Sequence, residues 1–204
     1  MNRLVAYIDG FNLYFGLKDK GWRRYYWLNI QNLCFNLLKF NQFLEGTKYF
    51  TARITDPPDK RKRQSTYIEA LSTLNNFEIY YGKYQLNSWK CNRCHSSIDV
   101  PNEKMTDVNI AVELLTDAFQ NKFDVALVLS ADSDLIAPIK KTKELFPSKK
   151  IVIAFPPRRH SVALTKVADA YFTIGRKKIA DSVFPQRVRK KDGFTIECPE
   201  RWQE

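Results

Sequence analysis

Four aspartates carry the chemistry this sequence can support: Asp9, Asp107, Asp132 and Asp134. Asp9 ends the apolar run RLVAYI and is followed by Gly10. Asp132 and Asp134 follow FDVALVL within the string SADSD, and Asp107 opens the stretch VNIAVELLTDAFQN. Carboxylates gathered in one place suit Mg²⁺ or Mn²⁺, which prefer oxygen ligands and are commonly held by a few acids and waters. Crowded carboxylates repel and raise one another's pKa, and a divalent cation relieves that repulsion. The same cation can activate a water and stabilise charge on a phosphodiester in flight. Asn12, one short step after Asp9, is placed to hold a ligand carboxylate or a water. Ser130 and Ser133 flank Asp132 and can hydrogen-bond the metal waters or a phosphate. Glu113, two turns beyond Asp107, stands either behind the site or in solvent. Each residue also has a plainer reading: Asp9-Gly10 as a turn, Asp107 as an N-cap, SADSD as a capped helix start. Their joint placement is what favours a site.

The elements that must position these residues alternate in type. Runs at 3–8, 47–54, 77–84, 123–129, 150–155 and 170–174 have the length and composition of strands. Helices are expected at 11–18, 29–39, 59–75, from Thr106 or Asp107 onward, after Asp134 to Leu145, and from Ser161 to Ala168. The 123–129 run is the most apolar, as suits the centre of a parallel sheet covered on both faces. Alternating strands and helices imply βαβ units with right-handed crossovers, hence an α/β fold with a mostly parallel sheet. Ligands of such open sheets bind beyond the carboxyl ends of the strands. Asp9, Asp132 and Asp134 directly follow strands, and a helix start after a strand faces the same edge, so Asp107 joins them. With 204 residues, one domain is expected over 1–184, including a Cys-containing irregular loop at 85–104. A basic tail at 185–204 follows, which Phe194, Ile196 and Trp202 could dock.

The formal charge of +11 favours a polyanionic partner, because Lys and Arg that neutralise phosphates release condensed counterions. Lys60, Arg61, Lys62 and Arg63 crowd a helix start, an unfavourable place for cations unless an anion is near. Arg158 and Arg159 follow the 150–155 strand and so share the edge of the aspartates, and Lys104 precedes Asp107 by one turn. Trp22, Tyr25, Tyr26 and Trp27 lie among Arg23 and Arg24, a mixture able to stack on bases and pair with phosphates. Cys91-Asn-Arg-Cys94-His95 has the spacing of half a zinc site, with Cys198 or the loop of a second copy to complete it. The same pattern is also that of haem attachment. With no export signal that use is set aside, and a reduced pair that binds nothing is the alternative. The apolar run before Asp9 is too short for a signal peptide or membrane span, so a cytoplasmic location is expected.

YIDGFNLYFGLK, EKMTDVNIAVELLTDAF and LVLSADSDLIAPIK resemble, in order, the three motifs of NYN domains, the LabA-like branch of the PIN-like nuclease superfamily. The resemblance spans roughly residues 3–175. It implies a three-layer α/β/α, Rossmann-like sandwich and metal-dependent RNA cleavage. Asp9, Asp107, Asp132 and Asp134 would be the metal-site carboxylates, with Asn12 beside them. Ala131 stands where many members carry Gly. Related folds often pair, which keeps a homodimer open. The leading expectation is a Mg²⁺- or Mn²⁺-dependent ribonuclease acting on RNA, with Arg61, Arg63, Lys104, Arg158 and Arg159 as substrate contacts. A haloacid-dehalogenase-like phosphatase needs an Asp-x-Asp after the first strand, and here Phe11 stands where the second acid belongs. A module that binds RNA without cutting it is the remaining alternative.

Overall fold

The computed structural model describes residues 1–90, 93–94 and 96–203, the side chains of 84–90 and 98–103 excepted. The chain begins with β1 (Asn2–Asp9), α1 (Gly10–Asp19), α2 (Ile30–Leu37), β2 (Gln42–Thr51), α3 (Pro58–Leu71) and β3 (Phe77–Tyr81). A hairpin of β4 (Lys83–Lys90) and β5 (Ser97–Lys104) comes next, and then α4 (Thr106–Phe119) and β6 (Val125–Leu129). The last third holds α5 (Ile136–Leu145), β7 (Lys150–Phe155), α6 (Val162–Thr165), β8 (Ala170–Thr173), α7 (Arg176–Ala180), β9 (Arg187–Arg189) and β10 (Thr195–Glu197).

Six strands form the central sheet in the order β3-β2-β1-β6-β7-β8, every neighbouring pair parallel. Period-two alternation divides its side chains between two cores. Leu4, Ala6 and Ile8 of β1, with Val125, Leu127 and Leu129 of β6, pack with residues of α1, α2, α3 and α7. Val5, Tyr7, Ala126 and Val128 point the other way, toward α4 and α5. The result is the three-layer α/β/α sandwich expected from the motifs. From β1 the chain winds out through β2 to β3. From β6 it winds out the opposite way, through β7 to β8. The order therefore reverses between β1 and β6, and loops leaving these two strands diverge there to open a crevice.

Two segments differ from the sequence expectation. The strand expected over 77–84 is divided at Gly82, and the irregular stretch of 85–104 is an antiparallel ribbon with Lys83 opposite Lys104 and Lys90 opposite Ser97. Among the described residues it pairs only with itself, so it needs no continuous apolar run, and its polar composition concealed it. The segment from 185 onward is likewise no free tail. β9 and β10 pair, Val188, Ile196 and Cys198 join the core, and Lys190 Nζ lies 2.7 Å from Glu69 Oε1. Trp202 packs against the same core, whereas Phe194 is exposed. The helix expected from Ser161 is a single turn, capped as anticipated by the Ser161 hydroxyl, which accepts from the Leu164 amide.

A buried ionic cluster fixes α4 on the sheet. Lys48 of β2 places Nζ 2.6 Å from Asp117 and 2.7 Å from Glu113. Tyr7 of β1 donates to Asp117 at 2.8 Å, and Tyr80 of β3 donates to Glu113 at 2.9 Å. Burial opposes the charge on Lys48, but the two carboxylates outweigh it and raise its pKa. Glu113 is therefore committed to the helix–sheet contact. Removing one partner of a buried pair strands the other charge. Lys48→Ala is expected to lower stability by about 3 kcal/mol, read from the urea midpoint.

At the amino end of the sheet, Arg3 of β1 holds Asp124, just before β6, through its guanidinium at 2.9 Å and its backbone amide at 2.8 Å. The Arg3 side chain, aided by that amide, lowers Asp124 to about 2. A carboxylate depressed on folding stabilises above its unfolded pKa of about 4 and loses that contribution as pH falls through the folded value. Asp124→Asn should therefore flatten the acid side of the stability curve between about pH 4 and about pH 2, measured by denaturant titration at each pH.

Candidate active site

The crevice between β1 and β6 brings Asp9, Asn12, Ser130 and Asp132 together. Asp9 is the last residue of β1 and the N-cap of α1, only 4% exposed. Its Oδ1 accepts the Asn12 amide at 2.9 Å and its Oδ2 accepts the Ser130 hydroxyl at 2.8 Å. Ser130 Oγ in turn accepts the Asp132 amide at 3.0 Å, and Asn12 Oδ1 accepts the Ala131 amide at 3.2 Å. Two of these hydrogen bonds, Ser130 to Asp9 and Ala131 to Asn12, join the end of β1 to the end of β6, and the other two fix the local turns. Asp132 caps a single 3₁₀ turn, Ser133–Leu135, by accepting the Asp134 amide at 2.9 Å. Gly10 is required by close approach. A Cβ there would lie 2.6 Å from the Tyr49 hydroxyl and 2.7 Å from the Phe50 carbonyl oxygen.

Asp107 arrives from the other side, in the first turn of α4. The chain enters that helix through Met105 at φ 77°, a left-handed conformation that costs a non-glycine residue energy. Gly82 makes room for it, since a Cβ there would lie 2.6 Å from the Lys104 carbonyl oxygen and 2.8 Å from Thr106 Oγ1. Burial, followed by the fields of Asp132, Asp9 and Asp134, pushes Asp107 up to about 6. Burial also raises Asp9, against the hydrogen bonds from Asn12 and Ser130. Asp107 is held among the other three acids, at a mutual electrostatic cost.

A groove of about 1200 Å³ opens at Asp107 and Asp132. Of the expected substrate contacts, Arg63 lines it, together with Lys60. Arg61 is exposed on α3, Lys104 is exposed at the end of β5, and Ser133 is exposed in the 3₁₀ turn. Arg158 is exposed at φ 60°, and Arg159 is tied to Asp19 of α1 at 2.7 Å. Of the aromatic cluster, Tyr25 and Trp27 are buried in the core, whereas Tyr26 and Arg23 line the groove. Lys18, Tyr14 and Arg201 line it too and were not singled out. The aromatic pair Tyr14-Phe15 one turn before Lys18 in α1 was the signal that could have found the first two.

The NYN domain family profile matches residues 3–175, nearly the whole chain. The chain belongs to the NYN domain family. That family places it in the PIN-like nuclease superfamily. No curated protein matches the sequence. Among solved structures, a protein of unknown function from Vibrio parahaemolyticus is similar at 16% identity and a TM-score of 0.55, covering 90% of this chain and 96% of that one. This likeness is one of fold. MurG of Acinetobacter baumannii aligns at 10% identity and a TM-score of 0.38, over 91% of this chain and 43% of that one, too distant to argue from.

NYN nucleases generally use divalent metals. The donor set here suits one: hard carboxylate oxygens, with Asp107 raised by burial and by three acidic neighbours. As placed, the carboxylates of Asp9 and Asp132 are turned to protein partners. Among the described residues no three Asp, Glu, His or Cys are grouped so as to hold an ion. The expected zinc half-site cannot be followed through, because Cys91 and His95 lie outside the described residues. Cys94 is exposed, with Sγ 3.0 Å from Ser96 Oγ. Burial raises the Cys198 thiol to about 11, which opposes the thiolate a metal needs. No helix among the described residues is long and apolar enough to cross a membrane.

Ser130 is fully buried between Asp9 and Asp132. A hydrogen bond to a charged group contributes about 1.5–3 kcal/mol, so Ser130→Ala in this NYN domain should lower stability by about that amount, read by thermal or urea denaturation.

Proposed function

We propose that this NYN domain is a Mg²⁺- or Mn²⁺-dependent ribonuclease that hydrolyses RNA phosphodiester bonds. The observation that carries the reading is the convergence of Asp107, Asp132, Asp9 and Asp134 at the mouth of a groove with basic walls, where burial first and then the other three acids raise the Asp107 pKa. Acids that crowd one another in a protein of net charge +11 suit a site built for cation and phosphate together. Asp9, Asp107, Asp132 and Asp134 would hold the ion. When bound, a divalent cation supplies Lewis-acid chemistry, activating water and neutralising charge on the phosphodiester. Asn12 and Ser130 hold Asp9 in one orientation, so that it meets the substrate already aligned. Arg63 and Lys60 supply positive charge to the strand beside the reacting phosphate.

A second reading, an RNA-binding module without turnover, is favoured by one observation. Both oxygens of Asp9 are already occupied by Asn12 and Ser130.

The two readings separate in one assay. Purified protein should degrade single-stranded RNA with Mg²⁺ or Mn²⁺ and lose activity in EDTA. Asp132→Asn with Asp134→Asn should reduce cleavage at least a hundredfold while leaving the melting temperature near that of the parent, because both side chains sit at the surface of the crevice. Undiminished cleavage by the double variant sinks the assignment. Tight RNA binding without cleavage in either metal selects the second reading.

A further inference from the structure

The groove leading from Asp107 and Asp132 is lined by α1, the first turns of α3 and the C-terminal turn Glu200–Trp202. Two features of its walls go beyond the acidic site. The first is a relay of aromatic rings. Phe15 lies 5.4 Å from Tyr14, Tyr14 lies 5.0 Å from Tyr26, and Trp202 lies 5.9 Å from both Tyr26 and Tyr67. Tyr14 and Phe15 are each more than a third exposed, although both are large aromatic residues. The second is charge. Lys18, Arg23, Lys60, Arg63 and Arg201 line the same surface as these rings. Asp59 takes Arg63 at 2.8 Å and Arg201 at 3.7 Å, so one carboxylate is shared by two guanidiniums and the wall keeps a positive surplus.

At about 1200 Å³ the groove exceeds the roughly 300–1,000 Å³ of pockets built for small molecules. Rings interleaved with cations are how proteins seat a single strand, with bases on the π-faces and phosphates on the charges. A duplex hides its base faces and gains nothing from the rings.

We propose that this groove seats unpaired nucleotides flanking the phosphate at Asp107 and Asp132, with bases stacked on Tyr14, Tyr26 and Trp202 and phosphates held by Arg23, Lys60 and Arg201. The wall made by Arg201 and Trp202 lies outside the 3–175 span of the family match. It is held in place by the β9–β10 hairpin, through buried Val188 and Ile196. That the strand is RNA rests on the ribonuclease reading above.

The test is fluorescence anisotropy of the full chain in EDTA, so that binding is read without cleavage. The probes are a labelled oligouridylate of about ten nucleotides and a labelled blunt RNA duplex. Tyr14→Ala and Trp202→Ala should each weaken the oligouridylate about tenfold or more and leave the duplex unchanged. Arg201→Gln should lower the slope of log affinity against log salt by about one. Tyr14 is exposed, so its variant keeps the test valid even if Trp202→Ala fails to fold. Unchanged affinity in Tyr14→Ala together with an unchanged slope in Arg201→Gln overturns the proposal, as does an equal loss on the duplex. Binding losses in a parent protein that never cleaves with Mg²⁺ or Mn²⁺ would leave the groove standing and remove the ribonuclease reading. Cleavage by a parent whose groove variants bind normally would do the reverse.

Discussion

The candidate site depends on how two neighbouring parallel strands end. β1 and β6 run side by side, with Ile8 opposite Leu129, and then their chains turn away in opposite directions. A crevice follows from that divergence, and so does an exposed set of backbone amides at its lip. Asp9 and Asp132 satisfy these amides. Each caps the turn that follows its own strand, and Ser130 bridges between them. Carboxylates are good caps because the first amides of a helical turn lack partners and the helix start carries partial positive charge. The capping role and the proposed metal role thus call for the same residue types at the same positions, which is why no single aspartate could be assigned from its local sequence.

Electrostatics then sets a balance across α4. Its start carries Asp107, raised by burial and by three other acids. Its middle and end carry Glu113 and Asp117, whose charges are matched by Lys48 and, on Asp117, by Lys122 at 3.1 Å. Acids on one helix therefore differ in whether a protein cation answers them. Those that anchor the helix are answered from within. Among the described residues no ion pair answers the one at the crevice, which is where the proposed cation would act. Charge matching in the anchor allows the helix start to be held against repulsion, with the strained Met105 and the absent side chain at Gly82 completing the approach.

The sequence disclosed the parts that follow from periodicity and connectivity. Asp9, Asp107, Asp132 and Asp134 could be brought to one edge because strand ends and the helix starts after them face the same way in a parallel sheet. Boundaries and burial within mixed segments were harder. RRYYW mixes rings and cations in a 3₁₀ turn, where adjacent residues point in different directions, so Tyr25 and Trp27 enter the core while Tyr26 reaches the groove. Lys48 reads in sequence as the polar half of an alternating strand, yet it is buried, because its partners lie on a helix some sixty residues further on. The C-terminal residues read as a basic tail because Val188, Ile196 and Cys198 are sparse apolar residues in a charged segment. Their pairing into β9 and β10 is what gathers them onto the core.

That last segment changes how the acidic crevice is approached. Without it, α1 and α3 would flank an open surface, and the cations of α3 would face solvent on one side. With Glu200–Trp202 in place, Trp202 meets Tyr26 and Tyr67, and Arg201 joins Arg63 at Asp59, so the surface becomes a walled groove. Positive charge on the walls and negative charge at the crevice divide the work. On the proposed reading a polyanion would be drawn along the walls by many weak contacts, while the acids would repel its phosphates unless a cation stood between them. The proposed reading, a polyanion along the walls and a metal at the crevice, is the one under which the two sets of charges work together. Either set alone would oppose the other.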